Sequence, residues 1–558
     1  MSSALDEAIA RLAEGSALWS GLTLDQRARL LDRTHASAGA VAAEWAETAA
    51  RIKGLDPGHP TAGEEWLTGP YAFLTALDAV AASLRALAAG RSPAGRLRSR
   101  TTRGGRTVFD VFPRTRREHL LLMGFTGEVW LRPGVSASAA KAAAGLAQRT
   151  PGRPGGIGLV LGAGNVTSIP VLDVLSELVS ANRVSLLKLN PTMDPLLPVF
   201  ERALAPLVEL GLVRIVTGGP AEGAALTRHP RIEHVHVTGS GATFDAIVWG
   251  TGKDAAGRRA ADRPALTTPI TAELGGVSPV IVVPGPWRDA DLRFQAQHIA
   301  TMRLNNSGHN CVAGQVVVVS ADWDRRDAFL AELRAAYRRA PERPVWYPRA
   351  DERIADARAA HPDTALAPDR LLVPLAGDDD VETVEYFAPV LGVRELPGLG
   401  RAFLDAAVDY ANDRLAGTLG ADVLIDPDTE RELGDGFEDA IERLRYGSIA
   451  INTWTGTAFV TPTLPWGAFP GGTLEEVGSG IGTVHNAYLF DDVERGVLRG
   501  PFRPFPRNLT GGRMTLLPTP PWFVGARTAN TVSEGLTRNL VDGDPIRLAA
   551  TLAAAYRA

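Results

Sequence analysis

Apolar positions recur at helical spacing through the first fifty residues. Past residue 155 they gather instead into short runs separated by helical stretches. Residues 4–53 read as helices. "TLDQRARLLDR" opens on Thr23 with Gln26 three residues on, a capping-box pattern, and the periodicity runs through "AVAAEWAETAARIKG" to stop at Gly54. "GRSPAGRLRSRTTRGG" (90–105) interrupts it as a basic, glycine-rich loop, and "GEVWLRPG" (127–134) reads as a strand before an Ala-rich helix. Then strands and helices alternate: "GGIGLVLGAGN", "PVLDVLSELVSAN", "RVSLLKLNP", "PLLPVFERALAPLVELG", "LVRIVTGG", "AEGAALTRHP", "IEHVHVTGS". Such alternation predicts a parallel, doubly wound sheet. A second alternating block begins near "SPVIVVPG" (278–285), passes through "QVVVVS" and ends near residue 470. The stretch after about residue 500 is Pro-rich and ends on an expected short helix, "DPIRLAATLAAAYRA".

The pattern thus predicts two α/β units in series, which 558 residues readily accommodate. A net charge of -5 and a pI near 6.1 supply no electrostatic reason to expect nucleic acid. No run of about 18 uninterrupted apolar residues suggests a membrane span. "MSSALDEAIARLAEG" is acidic and amphipathic, unlike a signal peptide, so a soluble cytoplasmic protein is expected. One cysteine, Cys311, excludes a disulfide framework and any multi-cysteine metal site. Lysine is scarce: Lys53, Lys141, Lys188 and Lys253 are all there are.

Cys311 lies in "NNSGHNCVAG" (305–314), a polar, glycine-containing loop before an apolar strand. A lone cysteine is often plain packing, but a glycine-rich turn exposes N–H groups that can hold a thiolate or an oxyanion. Glu273, in "TAELGGVSPVIVV", stands at a strand boundary; it is either a surface carboxylate or a general base beside the thiol. Lys188 ends the strand "RVSLLK". "VTGSG" (237–241) puts small residues at a strand-to-helix turn suited to a phosphate. Glu385 and Phe387 in "EYFAPV" fit either loop packing or a site. "GAGNVT" (162–167) opens like a dinucleotide fingerprint, but Thr167 replaces the third glycine, and Lys188 ends the next strand where an acid is expected.

The order of these features, Asn165, Lys188, the TGS turn, ELGG, N-S-G-H-N-C, E-Y-F-A-P and "GSIAINTW", resembles the aldehyde dehydrogenase superfamily from about residue 20 to 500. "LPWGAFPGGTLEEVGSGIG" (464–482) resembles that family's late P-F-G-G…S-G-x-G segment. The resemblance implies Cys311 as nucleophile, Glu273 as general base and Asn165 as oxyanion donor. It implies a cofactor, NAD or NADP, held by Lys188 at the adenosine ribose, Gly239 and Ser240 at the pyrophosphate, and Glu385 and Phe387 at the nicotinamide ribose. It also implies a fold of two doubly wound parallel-sheet domains, cofactor-binding (1–114 and 154–276) and catalytic (277–470). A small bridging β element (115–153 and 484–500) and a Pro-rich tail (501–558) complete it, with a homodimer or homotetramer built by strand addition.

The implied reaction is oxidation of a small-molecule aldehyde to a carboxylic acid, with neither nucleic acid nor membrane as partner and no metal site. Two rivals are a CoA-dependent acyl-CoA reductase or acylating dehydrogenase, and a catalytically silent binding member. The chain departs from the family pattern at Ala163-Gly164 (usually Pro-Trp), His309 (usually Gln), Ala388 (usually Gly) and Pro191, where NAD-preferring members often carry glutamate. His309 either lowers the thiol pKa or braces the loop.

Overall fold

The computed structural model describes residues 3–149 and 155–557. The expected junction at 153/154 lies outside the described residues. Three helices, Ser3–Gly21, Leu24–Ala40 and Ala42–Ile52, open the chain, and the capping box at Thr23 and Gln26 is closed in both directions. Trp19 and Arg27 from these helices hydrogen-bond Asn182, tying them to the first sheet.

That sheet has six strands, in the order Gly480–Ile481, Ile270–Leu274, His234–Gly239, Ile157–Leu161, Val184–Lys188, Val213–Val216. All pair in parallel except the short Gly480–Ile481 edge. The chain starts at Ile157–Leu161, winds outward twice, then returns to the other side of the same strand. The order therefore reverses between Ile157–Leu161 and His234–Gly239, and the carboxyl ends of those two strands carry the GAGN and TGS turns. A crevice opens at such a reversal because the flanking connections leave in opposite directions.

The second sheet has eleven strands. Its parallel centre contains Ser448–Ile451, Gly420–Leu424, Ser278–Val282, Gly314–Ser320, Val390–Leu396 and Arg370–Leu375. The near-continuous apolar composition of "SPVIV" and "GQVVVVS" follows from their place: every residue of both strands is buried.

The bridging segments form Thr126–Leu131 and Val493–Arg499, paired antiparallel. Val493–Arg499 pairs in parallel with Ser448–Ile451 of its own chain, so neither bridging strand is a free edge; the edges of this sheet are Ser99–Thr101 and Ala365–Ala367. The basic loop 90–105 accordingly contains a short strand, which pairs with Thr107–Phe112.

The segment after residue 500 folds onto its own chain. Arg503 grips Asp291 with two hydrogen bonds of 3.0 and 2.8 Å. A helix not foreseen from sequence, Ala529–Asp542, precedes Pro545–Ala555. Gly63 permits its close approach, since a Cβ there would fall 2.6 Å from the Ala529 backbone. The helical stretch Pro60–Ala88 is long and apolar enough to span a membrane by length and composition, yet residues such as Phe73, Leu74, Leu77 and Leu84 are buried in the protein core.

Candidate active site

The two sheets meet end to end. Glu273 closes the Ile270–Leu274 strand at the carboxyl edge of the first sheet, and Ser278–Val282 begins the second sheet four residues after Leu274. Gly275 and Gly276 make the crossing. A Cβ on Gly275 would fall 2.0 Å from the Glu385 carboxylate, and one on Gly276 would fall 2.9 Å from Ser479 Oγ. The loops carrying Cys311 and Glu385 precede Gly314–Ser320 and Val390–Leu396, so they sit at the amino edge of the second sheet. The carboxyl edge of one sheet thus faces the amino edge of the other across a cavity of about 1050 Å³. Asn165, Lys188, Gly239, Ser240, Glu273, Cys311, Glu385 and Phe387 all line it.

The thiol loop is held by buried charge. Asn306 and Ser307 have φ of 52° and 54°, a left-handed conformation costing roughly 1–3 kcal/mol for a residue with a side chain. Asn306 N–H donates to Glu64 Oε2 (2.9 Å), and the Asn306 amide donates to the carbonyls of Asn165 and His309 (3.0 Å each). Glu64 is paired with Arg343, Arg343 also with Glu65, and Glu65 with Lys53 at 2.8 Å; Lys53 and Glu65 are 1% and 0% exposed. Trp346 Nε1 donates to Asn306 Oδ1 (3.2 Å). None of Lys53, Glu64, Glu65 or Arg343 was singled out as a site residue. Only the scarcity of lysine pointed toward Lys53.

The thiol opens onto the cavity and lies 3.5 Å from Glu273 Oε1, to which it donates. Burial, then the nearby Glu273 and Glu385 carboxylates, push its pKa well above the ordinary thiol value. Glu273 is 2% exposed. Burial and then Asp173 raise its pKa, against the pull of Trp466, His485 and His236. The resting pair is therefore a protonated thiol beside a carboxyl of raised proton affinity. Asn165 Nδ2 donates one hydrogen to the His309 carbonyl at 2.9 Å. An amide carries two, so the second remains for an oxygen in the cavity.

His309 settles as the brace. It is fully buried, and burial holds it down to about 3, so it is neutral. Nδ1–H donates to the Phe387 carbonyl (2.7 Å), stitching the thiol loop to the E-Y-F-A-P turn, where Phe387 itself has φ of 48°. A neutral ring offers a thiolate no charge, and the bond to Phe387 is that of a brace.

At the far end, Lys188 closes its strand beside Pro191, and burial lowers its pKa while Asp194 and Glu222 pull it back. Ser240 caps the helix Gly241–Val248, accepting from Thr243 N–H (3.2 Å). That helix opens toward the cavity with its positive end. Burial lifts the Glu385 carboxyl to about 7. An elongated cavity with an ammonium and a helix amino end at one side, and a carboxyl seated over a glycine at the other, fits a dinucleotide.

A two-sheet α/β protein with a thiol–carboxylate pair between the sheets is the class that fold and site define. The profile of the aldehyde dehydrogenase family matches residues 196–344. A Staphylococcus aureus (strain MSSA476) protein described as "Putative aldehyde dehydrogenase" is 31% identical over 140 residues; that stretch is 25% of this chain and 25% of the relative's length. The gamma-glutamyl-gamma-aminobutyraldehyde dehydrogenase of Burkholderia cenocepacia J2315 superposes with a TM-score of 0.58 at 20% identity, over 88% of each chain. An NAD-dependent aldehyde dehydrogenase of Sinorhizobium meliloti superposes with a TM-score of 0.56 at 18% identity, over 90% of this chain and 88% of its own. At these identities the two structures speak to fold alone. Residues 196–344 thus resemble the aldehyde dehydrogenase family, and the chain shares the fold of the solved aldehyde dehydrogenases.

Two outcomes follow from the charges. Glu65→Ala leaves the Lys53 ammonium buried beside Arg343, and the loss of one partner of a buried pair costs about 3–5 kcal/mol. A denaturant midpoint unchanged from wild type would contradict the burial of this cluster. Glu273→Gln removes the negative charge beside the thiol, so the Cys311 pKa falls and iodoacetamide alkylates it severalfold faster at neutral pH. Slower alkylation in the variant would mean that Glu273 acts on the thiol mainly as a proton acceptor.

Proposed function

We propose that this chain oxidises an aldehyde to a carboxylic acid using NAD or NADP. The observation that carries the proposal is the 3.5 Å contact between the chain's only thiol and a buried carboxylate, inside a cavity that also reaches Lys188 and the Ser240-capped helix. In this reading Cys311 loses its proton to solvent and its sulfur adds to the aldehyde carbon. The free hydrogen of the Asn165 amide and the Cys311 N–H receive the oxyanion. A bound nicotinamide dinucleotide supplies the hydride acceptor. The acyl group then sits on Cys311 as a thioester. Glu273 takes a proton from water, the water oxygen adds to the thioester carbon, and the C–S bond breaks to release the acid and the thiolate, leaving the proton on Glu273.

Lys188 would contact the adenosine ribose, Gly239 and Ser240 the pyrophosphate, and Glu385 and Phe387 the nicotinamide ribose. The CoA-dependent rival draws on Ala163-Gly164, but it has no use for a base aimed at water, and Glu273 is placed against the thiol. Retention of thiol, carboxylate and amide on one cavity wall weighs against a silent binding protein.

The test is an aldehyde panel with each cofactor, read by absorbance of the reduced dinucleotide. Cys311→Ser is expected to abolish turnover and keep dinucleotide binding; a tenth or more of wild-type turnover would remove Cys311 from the reaction. Pro191 leaves no carboxylate at its position to repel a 2′-phosphate. Both cofactors are therefore expected to work, with kcat/KM within about a hundredfold, equivalent to about 3 kcal/mol. A gap beyond about a thousandfold would mean that another residue sets the choice.

A further inference from the structure

Glu273 lines a second cavity as well as the large one. This one has a volume of about 200 Å³, and Glu273 is the lining residue it shares with the large one. Its mouth is formed by the exposed Ser180, Gly482 and Thr483, and its inner end by Glu273 and Trp466.

The wall between is a ladder of polar groups on one face of the first sheet. His234, His236 and Thr238 alternate along their strand, so all three point to the same side. In register beside them, Thr271 faces His236 and Glu273 faces Thr238. The helix Ile169–Ser180 covers this face and presents Asp173 and Glu177, one turn apart. Gly158, paired with His234, leaves room for Glu177: a Cβ there would fall 2.6 Å from its carboxylate.

The contacts run from Thr238, beside Glu273 in register, toward the mouth. Thr238 Oγ1 donates to Asp173 Oδ2 (3.0 Å), and His236 Nε2 is 3.5 Å from the same oxygen. His236 Nδ1 lies 2.9 Å from Thr271 Oγ1, which lies 3.4 Å from His234 Nε2. His234 Nδ1 is 3.1 Å from Glu177 without closing a hydrogen bond, and Glu177 is 3.1 Å from the partly exposed Arg183. From the loop after Gly482, His485 comes within 3.7 Å of Asp173 Oδ1. Neither ring nitrogen of His485 closes a hydrogen bond, and neither does Glu273 Oε2, although all three atoms are buried. Buried polar atoms without partners beside a polar cavity are the setting in which proteins hold water. The cluster is rich in His and carboxylate, yet among the described residues no three such groups converge as metal ligands.

An apolar sheet face would be cheaper to bury than this one, so the ladder calls for a role. We propose that Asp173, His236 and His485 carry protons between Glu273 and solvent through this side cavity. This rests on the reading of Glu273 as the base for water. Each turnover leaves a proton on Glu273, whose other cavity is filled by cofactor and acyl group. The proton passes from Glu273 Oε2 through cavity water to the Asp173–histidine group, along Thr271 and His234, and out past Glu177. No bond other than O–H and N–H changes.

Charge balance is consistent with this. Burial disfavours both charges of the Asp173–His236 pair, yet the attraction between them raises His236, and His236 with His485 holds Asp173 down at about 2. The Asp173 carboxylate thus favours the protonated form of His236. The other charged groups facing the pair are Glu177, His234 and Arg183 toward the mouth and Glu273 with Cys311 toward the reaction.

Para-nitrophenyl acetate tests this without any dinucleotide. Its burst of nitrophenolate reports acylation of Cys311, and its steady phase reports hydrolysis of the acyl-enzyme. Asp173→Asn and His236→Gln are expected to keep a full burst while the steady phase slows at least about tenfold and its pH profile shifts. Added imidazole buffer should restore the steady phase in the variants and leave wild type unchanged, a response that a merely structural role would not produce. Wild-type steady rates and pH profiles in both variants would overturn the relay. So would burst and steady phase falling together without buffer rescue. The underlying reading fails separately: a wild-type protein with no burst, or a burst that survives Cys311→Ala, removes the thiol and the relay with it.

Discussion

Gly275 has no side chain to hold the Glu385 carboxyl away; a single Cβ would stand 2.0 Å from it. That absence lets the chain leave one sheet and enter the next within a few residues. It brings the carboxyl edge of the first sheet against the amino edge of the second. The thiol, Glu273 and the GAGN and TGS turns come from segments far apart in sequence, and they share a cavity only because the crossing is this short. A side chain at Gly275 would push the Glu385 loop, and with it the His309 brace, away from Glu273.

The site is also unusual in how much charge it buries. Lys53, Glu64, Glu65 and Arg343 hold the thiol loop in a strained turn from one side. The Asp173–histidine ladder backs the base from the other. Buried ion pairs contribute little net stability over apolar packing. What they provide is direction: Asn306 can keep φ of 52° because its N–H, its amide and its side-chain oxygen all have fixed partners. His309 supplies the same kind of constraint as a neutral ring tying two left-handed turns together.

Much of this was legible in the sequence. Strand–helix alternation foretold the two parallel sheets, and motif order singled out eight residues that line one cavity. Other parts were hidden for physical reasons. The helix Ala529–Asp542 follows a proline-rich run and carries a weak apolar stripe, so its docking onto Gly63 depends on tertiary contact. That Val493–Arg499 joins the second sheet beside Ser448–Ile451 is a long-range pairing, which periodicity does not specify. The ladder was half visible: "HVHV" places two histidines on one strand face where apolar residues are the norm. Asp173 and His485 reach the same point from a helix and a loop, which only the folded chain reveals.

The central claim is that Cys311 carries the acyl group and Glu273 releases it. The direct measurement is the mass of the Cys311 peptide after Glu273→Gln protein is mixed with an accepted aldehyde and dinucleotide. An acyl adduct on Cys311, formed with one equivalent of reduced cofactor and persisting in water, is the predicted result. An unmodified peptide with a steady-state rate equal to wild type would contradict the account.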